Sequence, residues 1–214
     1  SPEGMLENIP YQDLRAELLW APARTSIKQL SLRALNGNIQ SDGSWAANGV
    51  PAHSFTWSPR LEAVDVAGLL KQTFPKLKHR FDGALGLRGQ FTGTSSTDSG
   101  GARELAGTGE ALISNGIIKD FNLVAQLFVH GNRTVSSSRL PPGLAALVNR
   151  TDTPFDMFKG NFKLDPQRLS TDNLLLSTPD YTITGAGWVA QDRTTRWNGL
   201  LVLSPAITQE LQKE

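Results

Sequence analysis

Residues 158–203 alternate with a period of two. Phe158, Gly160, Phe162 and Leu164 share one side of an extended segment, and Lys159, Asn161 and Lys163 take the other. Leu174 and Leu176 follow, then Tyr181, Ile183, Gly185, Gly187 and Val189, then Trp197, Gly199, Leu201 and Leu203. Successive side chains of a strand point to opposite faces, so this spacing belongs to half-buried strands and not to helices. Asp-Pro, Thr-Pro, Gln-Asp and Ser-Pro punctuate the runs. Four strands joined by turns this short predict an antiparallel meander.

The same grammar extends towards the N-terminus. Ile27–Leu35 reads as a strand leading into Gly37-Asn38-Ile39, and Asp42-Gly43 before Ser44-Trp45 reads as a hairpin turn. Phe55 and Trp57 alternate with small polar residues until Pro59, which ends that run. Leu85, Leu87 and Phe91 mark another strand within Gly83–Thr92, and the Ser/Thr/Gly cluster of residues 94–101 reads as a loop. Helical spacing is scarce. Asp65 caps a segment with Val66, Leu69, Leu70 and Phe74, ended by Pro75; Asp120 caps another with Phe121, Val124, Ala125 and Phe128. A third, shorter helix is predicted over Pro142–Asn149. The expected fold class is α+β, mainly β: a curved, largely antiparallel, groove-like sheet with two or three short helices. The whole chain, residues 1–214, reads as a single domain.

Composition narrows the function classes. With 39% hydrophobic residues the chain holds enough for a packed core, which excludes a largely disordered protein. A formal charge of +1, from 21 basic and 20 acidic side chains, supplies no field for nucleic acid. There is no cysteine, so disulfides, thiolate metal sites and Cys nucleophiles are excluded. No apolar run approaches the roughly 18 residues that span a bilayer. The opening Ser-Pro-Glu-Gly, without an initiator Met, reads as an excised or processed segment, with any anchoring element outside it.

Candidate chemistry is thin. Asp98-Ser99-Gly100-Gly101 with Ala52-His53 resembles parts of a trypsin-like protease, but Thr97 stands where that loop carries Gly and the cysteines are missing. His53, His79 and His130 are widely separated, so no metal site is expected. Asp152, Asp156, Asp165, Asp172 and Asp180 read as turn and cap formers, and no catalytic residue is assigned. Lys71, Lys76, Lys78, His79 and Arg80 form a short basic run, either a solvated connector or a contact for anionic lipid headgroups. Asn132-Arg-Thr and Asn149-Arg-Thr match a glycosylation pattern at about chance frequency. No cofactor is implied. The less ordinary feature is the load of large apolar groups on late strands: Phe158, Phe162, Leu164, Leu174, Leu176, Tyr181, Ile183 and Trp188. Core packing is the ordinary reading of such residues, and a groove that holds acyl chains is the sharper one. Trp188 breaks the parity of its strand and points away from Ile183.

The order of these elements resembles a known family. Leu61-Glu-Ala-Val-Asp65-Val-Ala-Gly-Leu-Leu70, then Leu105-Ala-Gly-Thr-Gly-Glu-Ala-Leu-Ile-Ser-Asn-Gly-Ile-Ile-Lys-Asp-Phe-Asn-Leu123, is similar to the C-terminal region of AsmA-like proteins of Gram-negative envelopes. The run Thr153–Leu164, with its Thr-x-Phe element at Thr153 and Phe155, and the Gly-x-Gly at Gly185 and Gly187 extend the likeness over about residues 30–203. The resemblance implies a non-enzymatic periplasmic segment of an inner-membrane-anchored protein concerned with outer-membrane biogenesis and homeostasis. It also implies that phospholipid or another acyl-chain lipid is the partner, guided along a hydrophobic β-groove, for which the eight apolar residues above are this sequence's own candidates. The alternative is a scaffold module that meets envelope proteins through an open sheet edge. An enzyme acting on envelope polysaccharide through an Asp pair is the third reading.

Overall fold

The computed structural model describes residues 3–6, 8–47, 52–73, 80–96, 102–130 and 140–212. Eleven strands form one antiparallel sheet in sequence order: β1 (Glu3–Leu6), β2 (Ile9–Ala21), β3 (Arg24–Ala34), β4 (Gly37–Ala47), β5 (Ala52–Asp65), β6 (Phe81–Ser96), β7 (Ala102–Ile118), β8 (Thr153–Leu164), β9 (Arg168–Ser177), β10 (Tyr181–Ala190) and β11 (Thr195–Leu203). The sheet is curved and does not close, so among the described residues β11 at one end, and β1 with the part of β2 beyond Gln12 at the other, have a free edge. Four short helices lie among the described residues: α1 (Val66–Thr73), α2 (Leu123–His130), α3 (Pro142–Val148) and α4 (Pro205–Leu211). The expected fold class and the C-terminal meander are as observed, with one helix more than predicted.

Three local expectations are corrected. The hairpin joining β3 to β4 turns at Leu35-Asn36, both at positive φ (51° and 62°), and not at Asp42-Gly43, which lies inside β4 opposite Trp57. A side chain at position 43 would press on the Thr56 carbonyl oxygen 2.5 Å away, so glycine there serves close strand approach. Pro59 does not end its strand. β5 runs through it, and the ladder to β6 merely skips Ser58 and Pro59, where a donor is missing. The cap of α2 is Asn122, not Asp120: Asn122 Oδ1 accepts from the Ala125 N–H at 2.9 Å, while Asp120 sits at φ 51° in the preceding turn. Asp65 caps α1 as expected, accepting from the N–H groups of Ala67 and Gly68 at 3.2 Å each. The Asp98–Gly101 tetrapeptide, most of the basic run, His79 and Asn132 lie outside the described residues.

Two apolar clusters hold the sheet, both where helices cross it. Val64, Val66 and Leu85 pack beneath α1 with Leu69 and Leu70. Val124, Leu144, Leu147, Phe155, Leu176, Tyr181 and Ile207 form the larger cluster under α2, α3 and α4. Side-chain bonds tie these helices and their loops to one another and to β8. Asn122 Nδ2 donates to the carbonyls of Leu147 (2.7 Å), Val148 (3.1 Å) and Arg150 (2.7 Å). Thr153 donates to the Phe121 carbonyl at 2.7 Å and accepts from the Leu123 N–H at 3.0 Å. Glu210 of α4 accepts from the Gly143 N–H of α3 at 2.8 Å. Burial pushes the Tyr181 phenol up, opposed by its hydrogen bond with Thr153.

Candidate functional site: an uncovered apolar strip

Residues directly opposite each other in an antiparallel ladder share a face, so register links side chains across the whole sheet. One such row runs Leu18, Ile27, Gly43, Trp57, Phe91, Gly107, Leu164, Leu169, Val189 and Thr195, one residue from each strand from β2 to β11. A second row on the same face runs Val64, Leu85, Ile113, Phe158, Leu176, Ile183 and Leu201, from β5 to β11. The helices cover the second row, whose members belong to or pack against the two clusters. The first row lies outside both clusters. Leu18 is 61% exposed, Trp57 41% and Leu169 46%. At about 4.8 Å per strand, ten strands carry this strip for about 43 Å across the sheet.

The rings of the strip lie against glycines. Phe91 is paired with Gly107, where a Cβ would come 2.6 Å from its ring. Phe162 is paired with Gly109, with a would-be contact of 2.5 Å, and Trp197 with Gly187, also 2.5 Å. Trp57 and Phe91 have centroids 5.5 Å apart, and Phe91 and Phe162 lie 6.1 Å apart. Because the glycines leave no side chain in the way, the rings sit down on the neighbouring backbone. The result is a low apolar floor in place of a ridge of upright side chains.

The opposite face is polar along its middle, where Gln40, Arg60, Arg88, Glu110 and Asn161 form a register-linked row. The sheet is therefore two-sided, with its charge segregated from the strip.

The sequence-predicted groove residues separate into three places. Phe162, Leu164 and Leu174 lie on the strip side, and Phe158 stands between strip and core. Leu176 and Tyr181 are buried under the helices, with Ile183 packed against them. Trp188, paired with Ser170 and Arg196, faces the other way. Sequence reasoning missed Leu18, Ile27, Trp57, Phe91, Leu169 and Val189 as members of one surface. The alternation of Phe55 with Trp57 and of Leu87 with Phe91 was visible, but the register that lines them up was not.

The chain is thus an open, curved antiparallel sheet with short helices over one part of a face and an apolar strip across another. The family comparison makes this specific: the AsmA family matches residues 5–174, and the chain belongs to that family. No curated protein and no solved structure matches it. Among the described residues, no helix is long and apolar enough to cross a membrane.

Proposed function

We propose that this chain binds and guides the acyl chains of phospholipids along the uncovered strip, as the periplasmic part of a membrane-anchored protein serving outer-membrane biogenesis. The observation that carries the reading is the register-linked row from Leu18 to Val189 that the helices do not cover, with Leu18, Trp57 and Leu169 exposed and Phe91 packed down between Trp57 and Phe162. Each CH₂ moved from water onto such a surface gains about 0.8 kcal/mol, so a lipid tail is held without polar chemistry. A floor of flat rings and glycines presents few steps along its length, which suits sliding as much as holding. The reading needs no catalytic group and no cofactor. Envelope biogenesis and periplasmic location are supported by membership of the AsmA family.

The test is lipid extraction and native mass spectrometry of the purified chain, with Trp57→Asp and Phe162→Asp on the strip and Leu112→Asp on the other face as control. Leu112 is 40% exposed and pairs with Gly86 and Lys159 on the polar side. Lipid retained by the wild type and the control but lost by both strip variants supports the reading. A lipid-free wild type that takes up no added phospholipid rejects it. A second reading, a scaffold module, draws on the free edge of β11, where Leu200 is 62% and Val202 53% exposed. Strip variants that fully rescue an envelope phenotype while a Pro at position 200 does not would favour that reading.

A further inference from the structure

A bulge in β9 lies beside the strip. β9 carries an extra residue between Thr171 and Leu174: its pairing with β10 passes from Leu174–Gly185 to Thr171–Gly187, and its pairing with β8 from Leu175–Lys159 to Ser170–Lys163. The Asn161 N–H inside this gap bonds instead to the Asn173 side chain at 2.7 Å. Bulges re-aim side chains, and this one sets Thr171 and Leu174 on the same face, both turned to the strip. Beside it opens a cleft of about 230 Å³ walled by Ile113, Phe158, Phe162, Leu174, Val189 and Trp197. A dry cavity of about 150 Å³ is enough for benzene, so this one admits a segment of a single acyl chain and not two. One polar atom lies buried behind this apolar wall. The Thr171 hydroxyl is buried with no hydrogen-bond partner among the described residues, close to Gly160, where Leu174 Cδ1 also meets it: a Cβ at position 160 would lie 3.3 Å from the hydroxyl and 3.4 Å from that methyl.

Resting on the lipid-guiding reading, we propose that this cleft is a seat for one acyl chain bearing a hydrogen-bonding oxygen, which the Thr171 hydroxyl receives when Leu174 turns aside. An isolated buried hydroxyl is costly, and a ligand oxygen restores its missing bond. A plain hydrocarbon segment fills the cleft but leaves the hydroxyl unpaired. The seat therefore distinguishes acylated or hydroxylated chains from bare ones at one point along an otherwise undiscriminating strip.

The experiment measures displacement of a fluorescent fatty acid from the full chain by two matched pairs of probes. One pair is an acyl and an alkyl-ether lysophospholipid of equal chain length; the other is a 3-hydroxy fatty acid and its unsubstituted parent. An advantage of about two- to tenfold for the acyl ester in the first pair, which adds a carbonyl oxygen, or for the hydroxy acid in the second is expected, the size of one net hydrogen bond. Preference in the first pair assigns the ester carbonyl, and preference in the second the in-chain hydroxyl. Thr171→Val should abolish the preference while leaving affinity for the alkyl ether unchanged, and Thr171→Ser should keep it. Because the valine removes an unpaired hydroxyl, its urea midpoint should not fall. Equal affinities within both pairs overturn the proposal and leave the strip reading standing, as does a preference that survives in Thr171→Val. No displacement by any probe overturns the strip reading and the proposal with it.

Discussion

Two glycines on the same face of neighbouring strands should respond oppositely to one methyl group. Gly109 of β7 pairs with Phe162 and Gly160 of β8 with Ala111, one step apart along the strands. A Cβ at position 109 would stand 2.5 Å from both the Arg88 carbonyl oxygen and Phe162 Cζ. One of those contacts is backbone in a central strand, so the strands must part. Overpacking of this kind costs about 1–3 kcal/mol, offset by the roughly 0.4–1 kcal/mol that alanine gains by restricting the unfolded chain. At position 160 the nearest atoms are at 3.3, 3.4 and 3.5 Å, two of them side-chain atoms, which is close to ordinary contact. Gly160→Ala is therefore expected to be neutral or stabilising by up to about 1 kcal/mol, and Gly109→Ala to lose about 1–2 kcal/mol net. Urea unfolding at constant m-value reads the difference directly, and thermal melting should separate the variants by roughly 2–4 °C per kcal/mol. Equal shifts for the two variants, or a Gly109→Ala protein as stable as the wild type, would refute the claim that the rings of the strip rest on glycine backbone.

Asn122→Ala removes the α2 cap and the shared donor for three carbonyls, and should cost about 2–4 kcal/mol in denaturant unfolding. Asp65→Ala, which touches only the α1 cap, should cost about 1 kcal/mol. Leu176→Ala empties a site 3% exposed in the larger cluster and should cost about 2–5 kcal/mol, so Leu176→Asp tests folding and not lipid contact. Asp165 is held below its ordinary value of 3.8 first by the Gln167 N–H, then by the Arg168 N–H and the charge of Arg168. Its contribution is thus present above the ordinary value and lost as pH falls through the lowered one. The stability gap between wild type and Asp165→Asn should be open at neutral pH and close on acidification below that value, read from urea midpoints across the pH series.

The sequence displayed the β architecture because period-two runs and turn residues are local properties. β8 to β11, the Asp65 cap and the helix that begins at Pro142 were legible for that reason. β1 and β2 were not: Ile9–Ala21 is almost wholly exposed and its Leu18-Leu19-Trp20 run has no alternation. α4 was hidden by Ser204-Pro205, which ends a strand and opens a helix with the same two residues. The site was only half legible for a different reason. Leu176 and Ile183 alternate as convincingly as Phe162 does, and nothing local says that α2, α3 and α4 fold back over the first two and not the third. Which apolar residues remain bare is decided by where the helices land.

Every strand pairs with its neighbours in sequence, and this makes the molecule modular along one axis. No strand crossover ties distant parts of the sheet together, so a hairpin inserted at the turn between β2 and β3, outside both helix-covered clusters, adds two rungs and disturbs only the strands on either side. Each such insertion would extend the path by about 10 Å without rewiring the rest. Contacts this local also permit assembly rung by rung as the chain emerges, with little loop-closure entropy at each step. In such a design, evolution can set the distance that a protein spans by counting hairpins.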